Sequence, residues 1–143
     1  MSFWRKAKRL FSTDVHAIVG KQRVFGTDAA CLDDGPSDIL ELLVSIGRIV
    51  EEHLRIVCPE ANGSDDEWTV AFFTSTASRQ WTASFAPRDH GPVLALVNRA
   101  LADANAPRRL YEVSKREGGT DFYIACATPE DVTDLRAAGW IVT

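Results

Sequence analysis

A chain of 143 residues has the length of one domain, and 45% hydrophobic with 25% charged residues is the balance of a sequence that folds by itself, which argues against a disordered chain. The formal net charge of −4 is uneven: Arg5, Lys6, Lys8 and Arg9 place +4 on the first twelve residues, so the remainder carries −8. An acidic body is repelled by phosphate backbones, so nucleic acid is not expected as a partner except through the N-terminal arm.

Ser2 to Phe11 predicts a short amphipathic helix, with Phe3, Trp4, Ala7, Leu10 and Phe11 on one side and the four basic residues on the other. Residues 1–12 are read as this basic helix and 13–143 as a single α+β domain. The helix either packs on its own acidic domain or docks on an anionic membrane surface or acidic partner. Residues 13–36 read mostly as loop, with short strands at Val15–Val19 and Arg23–Phe25 interrupted by Gly20, Gly26 and Gly35-Pro36. Asp28, Asp33 and Asp34 make that stretch acidic.

A long helix is predicted from Ser37, with Ser37 and Asp38 at its start. Ile39, Leu42, Leu43, Ile46, Ile49, Val50 and Val57 follow at three-and-four spacing, and Pro59 ends it. Leu40, Val44, Leu54 and Ile56 widen its apolar stripe, so it is expected to be buried on more than one side, as the spine of the fold or a homodimer interface. Ala61 to Glu67 reads as a polar connector, and WTVAFFTST and RQWTASF as two strands of a hairpin. Trp81, Ala83 and Phe85 alternate with Gln80, Thr82 and Ser84, as a sheet covered on one side requires.

Pro92 to about Asn105 predicts another helix, with Val93, Leu96, Val97, Ala100 and Leu101 inward and Pro107 beyond its end. RLYEVS and DFYIACA form a second hairpin about Gly118-Gly119. Thr128-Pro129-Glu130-Asp131 is a helix start, Gly139 ends that helix, and Trp140-Ile141-Val142 adds a last strand. The order predicts a two-layer α+β sandwich: a mainly antiparallel sheet of two hairpins and a short C-terminal strand, with helices packed on one face.

Catalytic templates are unmatched. Neither glycine-rich phosphate loop occurs, nor GxSxG, and His16, His53, His90 and the three cysteines show no metal-ligand spacing, so no cofactor and no metal are expected. Cys31, Cys58 and Cys126 are odd in number and widely spaced, as reduced thiols are. With no signal-peptide run and no stretch near the ~20 apolar residues that span a bilayer, a cytoplasmic protein is predicted. Cys58 or Cys126 with His53 or His90 would be a formal nucleophile–base pair, but Cys126 shares a buried strand face with Phe122 and Ile124, where thiols are inert. Arg88-Asp89-His90 precedes a helix, either as acid/base or anion-binding groups or with Asp89 or Ser84 merely capping it.

With those templates unmatched, the sequence points first to a non-enzymatic protein-binding module, comparable to a small bacterial inhibitor or immunity protein. Its acidic surface would engage a basic partner through Asp33, Asp34, Asp65, Asp66 and Glu67. The alternatives are a small enzyme centred on Arg88, Asp89 and His90, and a membrane or complex-assembly adaptor that uses Phe3, Trp4, Leu10 and Phe11.

Overall fold

The computed structural model describes residues 14–28, 35–115 and 121–143, so the predicted helix of residues 1–12, together with Asp33 and Asp34, lies outside the described residues. Among the described residues there are four α-helices and two antiparallel sheets, an α+β fold as expected.

The first helix, α1 (Val15–Val19), replaces a predicted strand. Asp14 accepts a hydrogen bond from the His16 backbone N–H at 2.9 Å, and the turn buries Val15, Ile18 and Val19, whose three-and-four spacing is that of a helix rather than of an alternating strand. Gly20 at φ 112° ends it, and a 3₁₀ turn (Lys21–Arg23) leads into β1 (Val24–Asp28). Helix α2 (Pro36–Ile49) starts one residue before the predicted Ser37, with Gly35 at the cap position, Pro36 opening the first turn and Ser37 and Asp38 already inside it, and it stops eight residues before Val57. Ile56 and Val57 instead open β2 (Ile56–Gly63), because Pro59 disfavours helical backbone just before it and Cys58 adopts φ 52° at a bulge between Val57 and Glu60.

β2, β3 (Trp68–Thr74) and β4 (Ala77–Phe85) form the three-stranded sheet in that order, with the predicted hairpin as β3–β4. Trp68, Val70 and Phe72 face inward opposite Phe85, Ala83 and Trp81, while Glu60, Asn62, Phe73, Thr82 and Ser84 are exposed on the other face. Helix α3 (Gly91–Asp103) returns the chain to β5 (Arg109–Ser114) and β6 (Asp121–Ala127), the second predicted hairpin. Thr128 then caps α4 (Pro129–Ala137), Gly139 takes φ 93°, and β7 (Ile141–Val142) joins the sheet ordered β1-β6-β5-β7. The two hairpins therefore sit in separate sheets.

Alternation along β6 divides the interior in two. Phe122, Ile124 and Cys126 point to the larger core, shared with α2, α3 and the three-stranded sheet. Ala125 and Ala127 point to a smaller core with α1, α4, Trp140 and Val142, so the four-stranded sheet carries helices on both faces. Ile39, Leu43 and Ile46 of α2 are fully buried, which leaves Val44 as its exposed large apolar side chain. Of the four residues that widen the predicted apolar stripe, Leu54 is buried, Leu40 and Ile56 are half-buried, and Val44 is exposed.

Candidate functional site

The predicted acidic residues on β2–β3 occupy a braced turn. Ser64 donates its backbone N–H to the Glu67 carbonyl at 2.9 Å, and its hydroxyl accepts from the N–H groups of Asp66 and Glu67 at 3.4 Å each. One serine thus satisfies the turn's inward backbone groups and leaves Asp65, Asp66 and Glu67 exposed. Behind the turn, Gly63 lies against Trp68 so closely that a Cβ would stand 2.4 Å from the ring's Cδ1.

The predicted trio Arg88, Asp89 and His90 does not converge on one point. Asp89 accepts from the Gly91 N–H at 3.2 Å and so tends the start of α3, while Ser84 pairs with Thr69 across the sheet at 3.4 Å. His90 turns toward β5, where its Nε2 makes a short contact with Glu112 and its ring stacks on Phe122, centroids 5.3 Å apart and planes 15° from parallel. Arg88, held at φ 68° after Pro87, projects the other way.

Arg88 and Asp65 do come together. Both line a cleft of about 550 Å³, with Pro36, Ser64, Trp68 and Pro87 among its walls. Three segments meet there: the start of α2, the β2–β3 turn and the β4–α3 loop. A more apolar depression of about 720 Å³ lies at one end of the four-stranded sheet, beside Asp28, Lys115, Tyr123 and Trp140, and none of the predicted site residues lines it.

A charged network lies elsewhere. Arg23 donates to both carboxylate oxygens of Glu52 at 3.0 and 2.9 Å, and the Arg108 guanidinium stands 3.6 Å from Glu52 and 2.9 Å from Asp131. The Arg23 hydrogen bonds hold the Glu52 carboxyl below its ordinary range, and Glu52 raises Arg23 in return. His53 Nε2 is 3.0 Å from Glu52 Oε1 without the geometry of a hydrogen bond, so the contact is one of proximity. Each charge has its counter-charge here, so the network reads as a structural joint.

Cys126 is fully buried, and burial pushes its thiol up to about 11, which keeps it protonated and inert at neutral pH. Cys58 is exposed at the β2 bulge. Among the described residues no group of three or more side chains is placed to hold a metal ion, and no helix is long and apolar enough to cross a membrane.

Among the partnerships that sequence reasoning missed are His90 with Glu112 and Arg108 with Asp131. Both join residues more than twenty positions apart, and nothing local marks either one. Comparisons with protein-family models, with curated proteins and with solved structures each give no match.

Proposed function

We propose that this chain is a cytoplasmic protein-binding module of the small inhibitor or immunity type, which engages a basic partner through the acidic turn at Asp65, Asp66 and Glu67. The observation that supports this reading is that three consecutive carboxylates are exposed on a turn fixed by Ser64. A braced turn loses little conformational freedom on binding, and its clustered charge draws in a cationic surface and pairs with lysines and arginines there. The test is retention of partners from native lysate by the full chain and by the D65N/D66N/E67Q variant, at low and high salt. Specific retention of a basic protein, lost in the variant and weakened by salt, is the expected result. Equal retention by both proteins would refute the assignment.

A second reading draws on the His90–Glu112 contact, since a carboxylate that orients an imidazole is a common arrangement for acid–base catalysis. Its test is turnover of a panel of ester and phosphoester substrates by the chain and by His90→Gln. Activity that survives in the variant would remove it.

A further inference from the structure

The cleft beside the acidic turn holds two unspent opposite charges. Neither Asp65 nor Arg88 forms an ion pair or a side-chain hydrogen bond with any described residue, although both line the same concavity. Each stands on constrained backbone: Asp65 in the turn braced by Ser64, and Arg88 at φ 68°, a left-handed conformation that costs a non-glycine residue energy. Pro36, Pro87 and the 6% of Trp68 that is exposed supply the apolar part of a wall that is polar over its larger share, and the volume of about 550 Å³ falls within the span of small-molecule sites.

The complement of one carboxylate, one guanidinium and an apolar wall is a small molecule that carries an ammonium, a carboxylate and an apolar body. We propose that this cleft binds an amino-acid-sized zwitterion with an apolar or aromatic side chain: its ammonium meets Asp65, its carboxylate meets Arg88, and its side chain lies against Trp68 and the two prolines. A ligand with one charge leaves the opposing wall facing a like charge or nothing, so the pair of walls selects for both charges together. This inference does not rest on the acidic-turn reading. Asp65 is the one residue common to both, and Asp66 and Glu67 line no part of the cleft.

The test is a titration of the full chain followed by the indole resonance of Trp68, with leucine, phenylalanine and tryptophan as zwitterions. Phenylalanine methyl ester and N-acetylphenylalanine serve as the cation-only and anion-only forms. The expected result is a saturable shift with at least one zwitterion and binding of its singly charged forms weaker by about tenfold. Asp65→Asn should then abolish the preference over the N-acetyl form, and Arg88→Gln the preference over the ester. The D66N/E67Q variant should bind the zwitterion unchanged while retaining less basic partner, which separates the two readings. No saturable shift with any of the three amino acids, or equal binding of charged and half-blocked forms, overturns the proposal.

Discussion

Arg108 and Asp131 are 23 positions apart in sequence, yet the Arg108 Nη1 donates to the Asp131 carboxylate at 2.9 Å. The same nitrogen donates to the Cys126 carbonyl at 3.1 Å, and the same Asp131 oxygen accepts from the Thr128 N–H at 3.0 Å. Asp131 therefore does two things: it closes the capping box of α4 and it neutralises a guanidinium next to the strand that divides the two cores. Glu52 extends the joint to Arg23 and hence to the turn after α1.

Asp131 is 1% exposed, so replacing it by alanine takes the nearer counter-charge from a largely buried guanidinium, leaves it only Glu52 at 3.6 Å, and removes half of a capping box. Loss of one partner from a buried pair costs about 3–5 kcal/mol. Chemical denaturation of Asp131→Ala should show a loss of about that size, well beyond the ~1 kcal/mol of a cap alone. A loss near the cap value would mean that Arg108 finds another counter-charge.

Glu52 sets the acid sensitivity of the joint. Its carboxyl titrates lower in the folded chain than in the unfolded one, because Arg23 holds the charged form. A depressed carboxyl contributes stability above its unfolded pKa, and that contribution is lost as pH falls through the folded value. Melting temperature should therefore fall on acidification from neutral pH into and below the ordinary carboxylate range, and Glu52→Gln should fall less steeply. The carboxylate is 46% exposed, so the difference should shrink in high salt.

Where chemistry is local, this sequence is legible. Thr128-Pro129-Glu130-Asp131 announces its helix because cap, proline and acidic first turn act within four residues, and the capping box is formed. Both hairpins follow from alternation over single strands. The overlong helix prediction fails where two periodicities coincide: Val50, Leu54 and Val57 keep helical spacing, yet the helix ends at Ile49 and Val57 pairs with Phe73 in the sheet. The cleft was half legible. Asp65 and Arg88 each stood out, but their meeting depends on how three loops assemble, and His90 left the trio because Glu112 and Phe122 reach it from other strands.

Burial assigns the thiols different reactivities. Cys58 is exposed, whereas Cys126 is buried with its thiol pushed up to about 11. A thiol reagent near pH 8, with the sites mapped by mass spectrometry, should modify Cys58 in the folded chain and Cys126 only after denaturation. A thiol raised on folding contributes stability at neutral pH that is lost as pH rises from the ordinary thiol value of 9.0 toward about 11. Cys126→Ala should flatten that alkaline decline.

Gly63 tests how tightly the cleft wall is built. Its φ is not in the left-handed region, so alanine meets no backbone strain there; the obstacle is the Trp68 ring, 2.4 Å from where the Cβ would stand. Trp68 is 6% exposed and belongs to the larger core, so the ring cannot yield without disturbing its neighbours. Overpacking of this kind costs about 1–3 kcal/mol. Gly63→Ala should destabilise the chain by that amount and shift the Trp68 indole resonance, while Gly35→Ala on the same cleft, whose Cβ would meet none of the described residues within 4 Å, should do neither. If both substitutions proved equally mild, Trp68 would have room to move, and the cleft would be adjustable at the wall that Gly63 and Trp68 form.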